Sequence, residues 1–348
     1  MKEGDGKEAT LRLRSGQAVK DYVIHDILVA YGRAILKSKD FLSMSDLTSE
    51  RLKTIITNAA ALKTEGWNTQ LSQKILALLF ELPSLRTRVS FEVGMQQLGG
   101  KCIYLSPDEV QLGKRESIPD VARVLSRMVD VIALRTTSHE NLEILANNAE
   151  IPVINALSNV EHPCQALADM LTIYEHKETL EGLTLAYIGD GNNSAHSLML
   201  AAALCGIDFR IASPKEYRVQ DKILKTAQQL AAGNQSTILC TEDPRQAAAD
   251  ADVIYTDVWI SMGQEAETTQ RHKAFAAYQI NSQLLGLAKP DALLMHPLPA
   301  HHGQEVAENI IYSPQSVVFD QAENRLHAQK ALLVDILGGS EILLSDLR

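Results

Sequence analysis

A chain of 348 residues, 45% hydrophobic and 22% charged, is long enough for two domains and can bury a core without disulfides or a metal. A net charge of −10 argues against a nucleic-acid backbone or an anionic membrane as main partner, although a local arginine cluster on such a surface still binds a small anion. No apolar run reaches the ~20 residues of a membrane span, and the first residues do not open a secretory signal. Cys102, Cys164, Cys205 and Cys240 are scattered without a C-x-x-C pair, so the expectation is a reduced, cytoplasmic protein.

Taken in order, residues 11–36 mix Arg, Lys and apolar positions in the manner of a short amphipathic helix. Glu3, Asp5, Glu8, Asp21 and Asp26 count against a mitochondrial presequence, and 1–37 stands as an N-terminal extension of unassigned role. Strand-like apolar runs follow at 75–80, 129–134, 151–155, 183–188, 208–212, 252–255 and 292–295, with helix-like stretches between them, for instance 140–149 and 219–232. Near-continuous apolar strands separated by helices predict an α/β chain of two domains, each a parallel sheet flanked by helices. The first domain spans 38–160 and the second 161–325, joined by interdomain helices. The hinge is placed at 157–175, where His162-Pro163 opens a helix over 166–175 that bridges the domains. A helical pattern over 323–347 predicts a C-terminal segment, 326–348, packing back on the first domain.

Ligands of such folds bind beyond the carboxyl ends of the strands, so the residues just after each strand carry the functional information. After 75–80 comes Pro83-Ser84-Leu85-Arg86-Thr87-Arg88. Pro83 stops the strand, Ser84 is a good N-cap, and a helix follows through Phe91 and Met95. Unpaired N–H groups, two arginines and two hydroxyls suit a phosphate; a capped helix with two surface arginines fits equally well. Arg135 ends the strand at 129–134, as a ligand or as a solvated strand-end cation.

His162 and Gln165 are three apart at a helix start and can both donate to one carbonyl oxygen, or serve as a core histidine and a cap-region amide. Gly189-Asp190-Gly191-Asn192-Asn193-Ser194 lacks the third glycine of a dinucleotide fingerprint. A tight turn presenting asparagines to a ligand fits better. In Asp257-Val258-Trp259-Ile260-Ser261-Met262-Gly263 the acid suits a substrate ammonium, unless this is an ordinary polar loop. His296, His301 and His302 lack zinc-ligand spacing, so no metal is assigned. Pro297 and Pro299 predict an extended backbone whose carbonyls face a ligand.

In this order and spacing, over about residues 40–345, these segments resemble the aspartate/ornithine carbamoyltransferase family, on its ornithine branch. Ser84-x-Arg86-Thr87-Arg88, His162-Pro163-x-Gln165, Gly189 to Asn193, Ser261-Met262-Gly263 and Glu323-Asn324-Arg325 carry the likeness. The resemblance implies transfer of the carbamoyl group of carbamoyl phosphate to the side-chain amine of L-ornithine, giving L-citrulline and phosphate. It implies a carbamoyl-phosphate site of Ser84, Leu85, Arg86, Thr87, Arg135, His162, Gln165 and Arg325, with Arg86, Arg135 and His162 catalytic. The amino-acid end is implied to be Asn193, Asp257, Ser261, Met262, Pro297 and Leu298. Gln111 is implied to reach a neighbouring subunit's site in a homotrimer, and no metal or cofactor is implied. The chain departs from the family at Leu85, where Thr is usual, and at Pro297, where the ornithine branch usually has Cys. The acceptor therefore stays open between ornithine and another amine: putrescine, a modified ornithine or aspartate. A nucleotide-binding oxidoreductase built on the Gly189 turn, or a catalytically weak homologue, are the remaining readings.

Overall fold

The computed structural model describes residues 40–261 and 263–338. The N-terminal extension thus lies outside the described residues, as do the last residues of the predicted C-terminal segment. The first sheet holds β1 (Ile75–Phe80), β2 (Lys101–Leu105), β3 (Val131–Arg135) and β4 (Val153–Leu157) in the order β2-β1-β3-β4, all parallel. The second holds β5 (Thr184–Ile188), β6 (Asp208–Ala212), β7 (Ile238–Thr241), β8 (Val253–Tyr255) and β9 (Leu293–Met295) in the order β7-β6-β5-β8-β9, again parallel. This is the two-sheet α/β architecture that the alternation of apolar runs and helices predicts. β2 and β7 are not marked by an apolar run in the sequence. Both are edge strands with partly exposed faces, so neither carries the continuous apolar run that marks a strand covered on both sides.

Five helices bear on the site: α1 (Ser49–Glu65), α2 (Leu85–Gln97), α3 (Pro163–Lys177), α4 (Asn193–Cys205) and α5 (Val318–Leu337). α1 starts at Thr48, whose hydroxyl accepts from Arg51 N–H, and buries Leu52, Ile55, Ile56, Ala59 and Leu62 at helical spacing. α3 is longer than the predicted 166–175, and its residues from Pro163 to Ile173 are all buried. It lies at the centre of the molecule, packed on α1, α4 and α5. α5 begins at Val318 rather than Glu323, so a division at residue 325 falls inside one continuous helix. It crosses back over α1, α2 and α3. Buried Lys330 fixes that crossing: its ammonium donates to Leu62 O, Gly66 O and Gln97 Oε1 at 3.0, 3.1 and 3.1 Å. One apolar core runs from Leu52 and Ile55 through Leu167 and Leu171 to Leu332 and Leu333. It holds the carboxyl ends of the two sheets toward a shared cleft.

Candidate active site

The segments after β1, β3, β4, β5, β8 and β9 line one cleft of about 1150 Å³. Thirteen of the predicted site residues line it: Ser84, Leu85, Arg86, Thr87, Arg135, His162, Gln165, Asn193, Asp257, Ser261, Pro297, Leu298 and Arg325. Gln111 does not. It caps a short exposed helix of the first lobe in a left-handed conformation (φ 45°), and its amide donates to Asp108 O. Met262 lies outside the described residues.

The cationic half is built on the start of α2. Ser84 is extended (φ −155°), and its Oγ accepts from Thr87 N–H at 3.4 Å, which satisfies one of the helix's free donors. Arg86 reaches across the cleft, its Nη2 donating to Leu298 O at 2.7 Å. Arg325, one turn along α5 from Gln321, donates from Nη1 to Gln165 Oε1 at 2.8 Å and from Nη2 to Thr87 Oγ1 at 3.1 Å. Arg135 closes the group from the end of β3, only 5% exposed. Burial lowers its pKa to about 10, with Arg325 and Arg86 adding repulsion. His162 is pushed well below its usual value by burial and then by Arg325, Arg135 and Arg86, so it is neutral. Arg135 Nε, Arg325 Nε and His162 Nδ1 are buried with no hydrogen-bond partner among the described residues. Crowded cations with unused donors form a site that an anion completes.

The other half is polar and carries acids. Asn192 caps α4, accepting from Ser194 and Ala195 N–H, while its Nδ2 donates to Asp257 Oδ2 at 3.0 Å. Asp257 Oδ1 accepts from Val258 N–H at 2.8 Å, which fixes the carboxylate at the end of β8. Asn193 donates to Ser158 O at 2.7 Å and so ties α4 to the hinge. Asp190 is paired with Arg271 at 2.8 Å, both side chains under a tenth exposed. Burial still outweighs that pairing and raises Asp190 to about 6. Ser261 N–H donates to Gln264 Oε1 at 3.0 Å, and Gly263 takes φ 90°, a conformation that favours glycine.

One expectation is corrected. The backbone at Pro297 to Pro299 is not extended: Leu298 is left-handed (φ 58°) and its bond to Pro299 is cis. Leu298 N–H donates to His296 Nδ1 at 2.9 Å, which closes a tight turn and aims the Leu298 carbonyl at Arg86. His296 itself is fully buried and faces the carboxylate of Glu305 at 3.3 Å. Gln165 departs in part from its expected role. Its Oε1 is taken by Arg325 and its Nε2 donates to Asp169 Oδ1 at 2.8 Å, leaving one N–H for a ligand. Asp169 and Arg271 carry no site signal in the sequence, whereas Asn192 belongs to the turn expected to present asparagines to a ligand. Asn192 was visible as a cap before a helical run. Arg271, arriving from a distant helix, had no local signal.

Comparison with known proteins agrees with this geometry. Residues 39–175 match the aspartate/ornithine carbamoyltransferase carbamoyl-P binding domain, and residues 181–336 match the Asp/Orn binding domain of the same family. A protein of Anoxybacillus flavithermus named ornithine carbamoyltransferase is 55% identical over 306 residues, covering 87% of this chain and 98% of its own. One of Pyrococcus furiosus, named ornithine carbamoyltransferase, anabolic, is 50% identical over 310 residues, 87% of this chain and 98% of its own. The solved ornithine carbamoyltransferase structure from Pyrococcus furiosus superposes with a TM-score of 0.84, covering 86% of this chain and 97% of its own at 50% identity. That from Thermus thermophilus gives 0.79 at 44% identity, covering 86% and 99%. With both domain models matched in order and a cleft that collects the motif residues of each, the chain belongs to the aspartate/ornithine carbamoyltransferase family.

Proposed function

We propose that the chain transfers the carbamoyl group of carbamoyl phosphate to the side-chain amine of L-ornithine, giving L-citrulline and phosphate, in the direction of arginine biosynthesis. The observation that carries this is the polarity of the cleft. Arg86, Arg135 and Arg325 gather around a neutral His162 at one end, and Asp257 and Asn193 stand at the other. Phosphate takes the unused guanidinium N–H groups and the start of α2. Arg135, His162 and the remaining Gln165 N–H face the carbamoyl group. The free amine attacks the carbonyl carbon, and negative charge grows on the carbonyl oxygen, where preorganised donors lower the barrier. The C–O bond to phosphate then breaks, phosphate leaves with the electron pair, and it takes a proton from the new N–C centre. Asp257 binds the acceptor's α-ammonium, with Asn193, Ser261, Met262 and the 297–298 backbone completing the amino-acid end.

An acidic acceptor such as aspartate is disfavoured, because Arg271, a buried cation at this end, is already held by Asp190 and Glu267. Pro297 supports a second reading, in which another amine is the acceptor. Residues 38–160 form the carbamoyl-phosphate domain and 161–325 the amino-acid domain in this reading. A homotrimer places Gln111 at a neighbour's cleft. Support comes from exposed Leu85 and Val89, one turn apart on α2, and Ile103 on the edge strand packed beside it. No helix of the described residues is long and apolar enough to cross a membrane, and all four cysteines are free, which fits the cytoplasm. The test is incubation with carbamoyl phosphate and a panel of amines, following phosphate and citrulline. Release with ornithine alone supports the reading; release with none overturns it.

A further inference from the structure

Beneath the floor of the cleft lies a carboxylate that touches no substrate in the proposed reaction. Asp169 is 1% exposed, on the central helix α3. Its Oδ1 accepts from Gln165 Nε2 and from Gln321 Nε2, each at 2.8 Å, and its Oδ2 accepts from Tyr255 O–H at 3.1 Å. These donors come from α3, α5 and β8, and the cation that acts on Asp169, Arg325, bonds to Gln165 instead.

An ionised carboxylate accepts and never donates, whereas an amide does both and can be turned end for end. Asp169 therefore dictates which way both glutamines face. Gln165 must turn Nε2 inward, which leaves Oε1 outward for Arg325 Nη1. Gln321 must do the same, which leaves its Oε1 to accept from His296 N–H at 2.8 Å. Each outward oxygen governs one arginine of the cationic half. Through Gln165 it sets Arg325, which also reaches Thr87. Through Gln321 and His296 it anchors the turn whose Leu298 carbonyl receives Arg86.

We infer that Asp169 is a positioning residue for carbamoyl-phosphate binding: a buried acceptor that keys the orientation of Gln165 and Gln321 and, through them, the aim of Arg325 and Arg86. The inference rests on the reading of the cleft proposed above. Burial raises Asp169 to about 7 against the donors that stabilise its charge, so the fold keeps this ion at a cost.

The test compares wild type, Asp169→Asn and Gln321→Met at about pH 8, measuring the KM of each substrate, kcat and the melting temperature. Asparagine keeps shape and removes the acceptor-only rule, so Gln165 can reverse and turn its N–H groups on Arg325. The expected result is a KM for carbamoyl phosphate raised about tenfold or more, a KM for ornithine within about twofold, and a melting temperature equal to or above that of wild type. Gln321→Met cuts only the His296 arm and is expected to raise the same KM by a smaller factor. It decides the matter if the asparagine variant fails to fold. Variants that leave the carbamoyl-phosphate KM within about twofold, or lower only the amount of active enzyme, overturn the inference while the proposed activity stands. A wild type that forms no citrulline overturns both.

Discussion

Arg86 on the first lobe donates to the carbonyl of Leu298 on the second, at 2.7 Å across the cleft. The bond joins the start of α2 to the turn after β9, the segments assigned to phosphate and acceptor in the proposed reaction. Asp257 also acts on Arg86, opposing the lowering of its pKa by burial. One guanidinium thus feels both ends of the site. Arg86 has N–H donors left for an anion after this bond is made.

In the proposed reaction, Arg86→Ala removes a charged donor from the leaving phosphate and the lobe-to-lobe bond together. The expected outcome is a fall of about 100-fold or more in kcat/KM for carbamoyl phosphate, in the range seen when one charge-stabilising donor is lost. Arg86→Lys keeps the charge without the planar fork and is expected to recover only part. Initial rates at saturating ornithine measure both; a near-normal rate for the alanine variant removes Arg86 from the site.

The pH dependence follows from Asp169. Its folded pKa, raised by burial from 3.8 to about 7, means the folded state holds a proton that the unfolded chain has released between those values. Stability from this group is therefore full below about pH 4 and is lost as pH rises through about 7. Activity runs the opposite way. Below about 7 the protonated carboxyl gains a donor and no longer keys Gln165 and Gln321. Gln165, Gln321 and Tyr255 donate to it, and Arg325 and Tyr187 are the other titratable groups that interact with it among the described residues. The expected profile of kcat/KM for carbamoyl phosphate falls as pH drops through about 7, and this limb is absent in Asp169→Asn. A profile with the same acid limb in both proteins assigns it to another group.

How much of this was legible in the sequence depends on how local each signal is. Ser84 as a cap, Pro163 at a helix start and the buried runs of β1 and β5 are local, and the structure has them where the pattern puts them. The edge strands β2 and β7 were not, because an edge needs no continuous apolar run. The turn at Leu298 was misread as extended because its shape is set by His296 Nδ1, a side chain whose orientation depends on Glu305. The Asp169 network joins residues far apart in the chain, 152 positions in the case of Gln321. Spacing cannot reveal a hub of that kind.

The exposed apolar face of the first lobe supplies a prediction about assembly. Val89 is 47% and Ile103 46% exposed in the single chain, and Leu85 is 76% exposed on the rim of the cleft. Val89→Asp with Ile103→Asp places two charges where the proposed trimer buries apolar surface. The expected outcome is dissociation, seen by light scattering after gel filtration, together with loss of activity as Gln111 leaves the neighbouring cleft. An unchanged mass would place the interface elsewhere.

The Asp190–Arg271 pair lines the acidic half of the cleft, and it separates fold from chemistry. Arg271 donates to Asp190 Oδ2, to Glu267 and to Trp259 O, and its guanidinium lies 4.6 Å from the Tyr217 ring centre. Arg271→Ala leaves Asp190 buried without its cation, a loss expected to cost about 3–5 kcal/mol in urea unfolding at pH 8. Asp190 already sits near 6, and without the arginine its folded pKa rises further. A raised folded value is a stability contribution present at low pH and lost as pH rises, so the deficit of the variant shrinks as pH falls toward about 5. The double variant Arg271→Met with Asp190→Asn removes both charges and is expected to recover more than half of the loss. If the double variant is no more stable than Arg271→Ala, the cost lies in lost packing around Trp259 and Tyr217 and not in the stranded carboxylate.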